Sequence, residues 1–175
     1  ISNASRPISA EEMAACAAAS IQYIEIPIAF DGISVVVHPS NPITGITMAE
    51  LRRMWAPSAE RTVTTWRQAN NAWQNTPLQL FGPGTASGTF DFFTEAVNGD
   101  GGASRTDYTP SEDDNVIVQG VAGNAGAMGY FGYAYYEQNR ERLKALNIDG
   151  VAPSPETIAS GAYALSRPMF IYVNA

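Results

Sequence analysis

Helix-like and strand-like segments alternate along this chain of 175 residues, and the alternation predicts an α/β fold. Two observations carry most of the prediction. Residues 33–37 are almost wholly apolar, as in a strand that is covered on both faces. Residues 90–97 have apolar side chains at helical spacing and follow the strand-like run 78–81. The length suits one domain of ordinary size or two small lobes that share a crossover.

Two sequence patterns predict where the first helices begin. Ser9 and Glu12 have the spacing of a capping box, so we expect a helix from about residue 10 to residue 19. Thr47 and Glu50 repeat that spacing ahead of a short amphipathic helix. Between these helices, residues 23–30 and 33–37 have strand composition, and the Asp-Gly pair that separates them indicates a turn or a bulge.

The second half of the chain continues the same alternation. The three tryptophans, Trp55, Trp66 and Trp73, are expected to belong to the core rather than to a binding platform. The later elements are predicted as a helix over 116–122, a strand over 127–133, a helix over 135–144, a helix over 156–160 and a strand over 169–173.

Composition limits the possible partners. The formal net charge of −7 argues against a nucleic-acid partner or an anionic membrane surface. The single cysteine, Cys16, excludes a cysteine-based metal site. Cys16 is then either a small buried apolar residue or half of a disulfide whose partner lies elsewhere.

The most informative motif lies where the strand at 78–81 turns into the helix at 90–97. Residues 82–90 combine glycines with hydroxyl side chains, and Ser87, Gly88 and Thr89 stand at the predicted helix start. Glycines let the backbone approach a ligand, and the amides of a first helical turn have no partner within the helix. The motif therefore predicts an oxyanion cradle. The alternative is an ordinary helix N-cap behind a flexible loop.

Two enzymatic interpretations of the cradle lack their key residues. A nucleotide P-loop needs a Lys after its last glycine, and this motif has none. A serine-hydrolase elbow needs Gly-x-Ser-x-Gly and a His partner, whereas Ser87 is followed directly by Gly88 and the chain has only His38.

Several motifs together resemble the phosphate-binding protein of bacterial phosphate ABC transporters. The matching segments, in unchanged order and separation, are 5–8, 30–33, 84–90, 111–115 and 126–133. The resemblance implies a periplasmic-binding-protein fold, in which two α/β lobes joined by a strand hinge close on one anion. It assigns residues 1–39 to lobe one, 40–130 to lobe two with the anion-binding loop, and 131–175 to a return into lobe one.

The resemblance also implies that the first lobe is incomplete in this chain, because similar proteins have a strand and a glycine-serine-threonine loop upstream of Ser5. Members of this subtype often carry a second cysteine in that upstream segment. Cys16 would then be one half of a disulfide to it.

The resemblance places the phosphate-binding residues one by one. Ser87, Gly88 and Thr89 match the serine-glycine-threonine loop, and Ser5 with Arg6 matches the loop of the facing lobe. Many relatives carry an Arg shortly before the serine-glycine-threonine loop, but this chain has Pro83 and Gly84 there.

The guanidinium must therefore come from elsewhere, and Arg6 and Arg105 are the candidates, since an Arg fork suits two phosphate oxygens. A solvated loop charge is the other interpretation of Arg105. Asp31 is expected to accept a hydrogen bond from a protonated phosphate oxygen, although Asp-Gly is also an ordinary turn signal.

The function implied is the high-affinity binding of inorganic phosphate by an exported protein, periplasmic or at the cell surface, and its delivery to the membrane permease of an ABC transporter. No catalytic residue, metal or cofactor is expected. Two alternatives stay open: a phosphate-ester hydrolase, and a surface protein of the same fold that scavenges phosphate or mediates adhesion.

Overall fold

The computed structural model describes residues 1–175 as nine strands and seven α-helices in mixed order. The strands are β1 (Ser2–Ala4), β2 (Tyr23–Val37), β3 (Gly45–Ile46), β4 (Gln79–Pro83), β5 (Thr109–Ser111), β6 (Ala127–Gly132), β7 (Lys144–Ala145), β8 (Asn147–Ile148) and β9 (Ser166–Asn174). The helices are α1 (Ala10–Ala18), α2 (Met48–Trp55), α3 (Trp66–Ala69), α4 (Gly88–Asn98), α5 (Asp114–Ala122), α6 (Tyr133–Asn139) and α7 (Pro155–Ala159), with a 3₁₀ turn at Pro57–Ala59.

One curved sheet runs through the molecule in the order β1-β9-β2-β6-β4-β5, and β7 pairs with β2. The pairs β1–β9, β2–β9 and β2–β6 are antiparallel, whereas β4 is parallel to both β5 and β6. Strands β3 and β8 form a separate parallel pair. The α/β fold expected from the alternating sequence pattern is confirmed.

The core lies on both faces of the sheet around the second half of β2, as strand alternation requires. Val35 and Val37 point into a large cluster with Trp55, Trp66 and Phe93, which come from α2, α3 and α4. Val36, between them, points to the other face and packs against the apolar side chains of α5. Both faces are covered, which explains why residues 33–37 are so uniformly apolar.

Strand β2 differs from its prediction. A turn or bulge was expected at Asp31-Gly32, but the strand continues through both residues: Asp31 lies opposite Arg167 and Gly32 opposite Ser166. The register shift lies earlier, between Pro27 and Ala29. The glycine serves packing here, because a Cβ at position 32 would clash with the Ile158 side chain.

Local signals for helix starts and for the aromatic core agree with the structure. Ser9 and Thr47 cap α1 and α2, each in a complete capping box. Trp55 and Trp66 are fully buried and Trp73 packs against the same cluster. The helix expected over 135–144 instead runs over Tyr133–Asn139, and Trp66, expected in a loop, begins α3.

The two ends of the sheet differ sharply in burial. No residue from 1 to 31 is buried, although this stretch contains α1 and most of β2. The exposed fractions of Ile24, Ile26, Ile28 and Phe30 lie between 40% and 52%. These four side chains and the unpaired edge of β2 beside them are called the open face below. Within residues 23–30, β2 pairs only with β9, so this stretch is an edge strand.

Packing also bears on the division into lobes. Leu146, Ile148, Ile158, Tyr163 and Leu165 share the cluster that contains Trp55, and the Tyr163 hydroxyl donates to the Ile33 carbonyl at 2.9 Å. We therefore propose that the chain returns to the first lobe near residue 166 rather than at residue 131, and leaves it near residue 32 rather than at residue 39. None of the helices is both long and apolar enough to cross a membrane.

Candidate anion-binding site

Strand β4 ends at Pro83, within the cradle motif of residues 82–90, and α4 begins at Gly88. The Ser87 amide donates to the Gly84 carbonyl at 3.1 Å, which closes a turn, and the Ser87 Oγ accepts from the Thr89 amide at 3.2 Å. Ser87 is thus the N-cap of α4, as both interpretations of the motif require.

The first turn of α4 keeps unused donors. No protein group accepts from the amides of Gly88 and Phe90, and the Thr89 hydroxyl donates to none. The amino end of an eleven-residue helix also carries partial positive charge. The arrangement can hold an anion through direct hydrogen bonds without a broad basic surface.

A guanidinium that the sequence analysis did not single out lies against this turn. Arg167, in β9, donates from Nη1 to the Gly88 carbonyl at 2.9 Å. Its Nε and Nη2 donate to Asp31 Oδ2 at 3.3 and 3.1 Å, and its Cζ lies 4.9 Å from the ring centroid of Phe92. The structure therefore brings Asp31, Gly88 and Arg167 together. No sequence signal marked Arg167, since it lies just before the strand predicted over 169–173.

Ser5 lies towards the same end of the sheet. Ala4 is opposite Phe170, so Ser5 follows β1 in the direction that leads along β9 to Arg167. With a rise of about 3.3 Å per strand residue, Arg167 is about 7 Å beyond the β9 residue that faces Ser5. Ser5 therefore lies within about two strand residues of Arg167 along the sheet.

Arg6 points elsewhere. Its guanidinium binds Glu12 through two hydrogen bonds of 2.8 and 2.9 Å and donates to the Pro7 carbonyl, with the Arg6 side chain 55% exposed. These bonds from Arg6, together with those from Ser9, lower the pKa of Glu12 to about 2. In this arrangement Arg6 supports the capping box of α1.

Arg105 is buried in an ion pair. Its Nε and Nη2 donate to Asp107 at 2.5 and 2.8 Å, and its Nη1 donates to the carbonyls of Met54 and Val63. The Arg105 residue is 4% exposed. Its guanidinium holds the pKa of Asp107 at about 2. Arg105 therefore fixes the loop that follows α4 to the end of α2 through the Met54 carbonyl.

Two cavities separate the expected site residues. Ser5 and Arg6 line a groove of about 650 Å³ beside α1, together with Cys16. Arg105 lines a cavity of about 450 Å³ with Gly84 and Glu112, whereas Ser87, Gly88 and Thr89 line neither. A Cβ at position 84 would meet the Glu112 carboxylate, so a side chain there would displace the end of the Glu112 side chain.

The cradle at the start of α4 is a candidate anion site, and comparison with known proteins gives the family of the chain. The PBP superfamily domain matches residues 1–175, so the chain belongs to that superfamily. The chain is 48% identical over 180 residues to Protein SphX of Synechococcus elongatus, covering 99% of this chain and 53% of that protein. It is 38% identical over 181 residues to the phosphate-binding protein PstS of Staphylococcus saprophyticus, covering 99% and 54%.

Solved structures agree with this assignment. A possible phosphate binding protein from Planctomyces limnophilus superposes with a TM-score of 0.88 at 47% identity, covering 98% of this chain and 63% of that one. A putative phosphate ABC transporter substrate-binding protein from Clostridium perfringens, solved with bound phosphate, gives a TM-score of 0.75 at 26% identity, covering 97% and 64%. The chain spans about half the length of the curated relatives it matches.

Proposed function

We propose that this chain belongs to a binding protein for inorganic phosphate and that the anion lies at the amino end of α4. The observation that carries the proposal is the set of unused donors, the amides of Gly88 and Phe90 and the Thr89 hydroxyl, in the first helical turn. Ser5 and Asp31, at the neighbouring end of the sheet, complete the proposed set. Relatives and solved neighbours named for phosphate binding support the same ligand.

We further propose that the protein binds phosphate with high affinity and without chemical turnover, and delivers it to an ABC transporter permease from the periplasm or cell surface. The support is the superfamily and the printed names of the relatives. A phosphate-ester hydrolase would need a nucleophile activated by a base, or a metal. The cradle provides neither, since Ser87 is engaged as an N-cap and the only His, His38, bonds to Ser40.

The open face supports a proposal about the first lobe. Four large apolar side chains along an unpaired strand edge are unfavourable in water, because they leave apolar area unburied and backbone groups open to pairing. The curated relatives are about twice as long as this chain. We propose that a further segment of the same protein covers the open face and completes the first lobe.

Cys16 has no disulfide partner within residues 1–175, because it is the only cysteine. It lines the groove beside Ser5 and Arg6 and is partly exposed. A disulfide to a segment outside these residues remains a proposal, and comparing the intact mass before and after reduction would test it.

Calorimetric titration of the natural full-length protein tests the proposed function. We expect saturable binding of inorganic phosphate at one site per chain and no release of phosphate from a chromogenic phosphate ester. Titrations that show no heat of binding with phosphate would contradict the proposal. Turnover of the ester would favour the hydrolase.

A further inference from the structure

The proposed cradle binds an anion in a chain of net charge −7, so its positive charge must be local. The chain has ten Lys and Arg residues. Arg167 is the one whose side chain hydrogen-bonds to a residue of the Ser87–Thr89 turn. Arg6 is mostly exposed and paired with Glu12, and the guanidinium of Arg105 already hydrogen-bonds to Asp107 and to two backbone carbonyls.

Arg167 also keeps hydrogen-bonding capacity. A guanidinium has five N–H donors. Three of these bond to Asp31 and Gly88, which leaves two unused. The Arg167 side chain is 11% exposed, so an anion placed against it would accept charge-assisted hydrogen bonds in a partly desolvated site.

The position of Arg167 links the two parts of the sheet. Asp31 and Arg167 face each other where β2 changes partner, since Gly32 still pairs with β9 whereas Ile33 pairs with β6. Gly88 belongs to α4, which packs in the large core cluster. One guanidinium therefore touches the crossover strand pair and the cradle at once.

We propose that Arg167 supplies the guanidinium of the anion site and that Asp31 positions it. This inference rests on the proposed function and adds a binding residue to it. Asp31 Oδ2 accepts both bonds from Arg167, while Oδ1 has no partner and can accept a hydrogen bond from a protonated phosphate oxygen. Arg167 thus offers hydrogen-bond donors to both phosphate and sulfate. Asp31 offers an acceptor, which suits a protonated phosphate but not sulfate.

Titration of the natural full-length protein with inorganic phosphate and with sulfate tests the inference. Arg167→Gln should weaken the binding of phosphate and of sulfate by about 10- to 100-fold, because it removes charge-assisted hydrogen bonds. Arg167→Lys should recover only part of the loss, since an ammonium lacks the planar fork. The matched control is Arg140→Gln, an exposed residue with a weak ion pair at 3.6 Å, and it should stay within about twofold of the parent.

A purely structural role for the ion pair gives a different pattern. Asp31→Asn breaks the same pair, so a structural role predicts equal losses of affinity for Arg167→Gln and Asp31→Asn with both anions. The inference predicts instead that Arg167→Gln weakens the binding of both anions alike, whereas Asp31→Asn weakens the binding of phosphate more than that of sulfate and so reduces the preference for phosphate. Equal losses, or Arg167→Gln within twofold of the parent, would overturn the inference alone. A parent protein that binds no phosphate would overturn the proposed function and this inference with it.

Discussion

Asp107→Asn tests the assignment of Arg105 to a buried ion pair. The Arg105 guanidinium, with a smaller contribution from the Arg61 amide, lowers the pKa of Asp107 from 3.8 to about 2. A change of that size corresponds to about 2 kcal/mol. The Asp107 side chain is 26% exposed, and solvent screening reduces the value, so we expect about 1 to 2 kcal/mol.

The pH dependence has a definite sign. A carboxyl whose pKa is lowered by folding stabilises the protein fully above its unfolded pKa, near 4, and this contribution is lost as the pH falls towards the folded pKa, near 2. Urea unfolding of the natural full-length protein and of Asp107→Asn should therefore differ by about 1 to 2 kcal/mol at pH 7. The difference should shrink steadily below pH 4.

The phosphate affinity of Asp107→Asn is measured alongside its stability. Because Asp107 and Arg105 lie outside the Ser87–Thr89 turn, Asp107→Asn should change the phosphate dissociation constant by less than about twofold. A difference in unfolding free energy that is independent of pH, or a large loss of phosphate affinity, would refute the structural assignment of Arg105.

Two further predictions concern the cradle and the open face. Ser87→Ala should weaken phosphate binding by about 1 to 3 kcal/mol in calorimetry. The control Thr47→Ala removes the N-cap of α2 and should lower only the unfolding free energy. A Ser87→Ala variant with the phosphate affinity of the parent would show that Ser87 serves only as an N-cap. Residues 1–175 alone should associate in sedimentation velocity and bind phosphate more weakly than the full-length protein. Ile26→Thr should lessen that association and Val116→Thr, on α5, should not; a monomeric isolated chain with full affinity would disprove the open face's role.

The parts of the fold that were predictable rest on neighbouring residues. Each capping box is a contact between residues three apart, so Ser9–Glu12 and Thr47–Glu50 locate α1 and α2 from sequence alone. The apolar run of 33–37 likewise reports directly that both faces of β2 are covered.

The candidate site was only half accessible to sequence. Ser87, Gly88 and Thr89 are adjacent and form one turn, so their motif is visible. The contacts of Arg167 span 79 residues to Gly88 and 136 residues to Asp31, and no local pattern encodes them. The turn or bulge expected at Asp31-Gly32 was wrong because long-range contacts override a local preference. The pair favours a turn, but pairing with β9 and packing against Ile158 hold it in a strand.

A crystal structure of the natural full-length protein grown with inorganic phosphate tests the central claim most directly. We predict phosphate oxygens within about 3 Å of the amides of Gly88 and Phe90 and of a guanidinium nitrogen of Arg167. Phosphate bound instead in the cavity beside Arg105 and Glu112, with the first turn of α4 unoccupied, would contradict it.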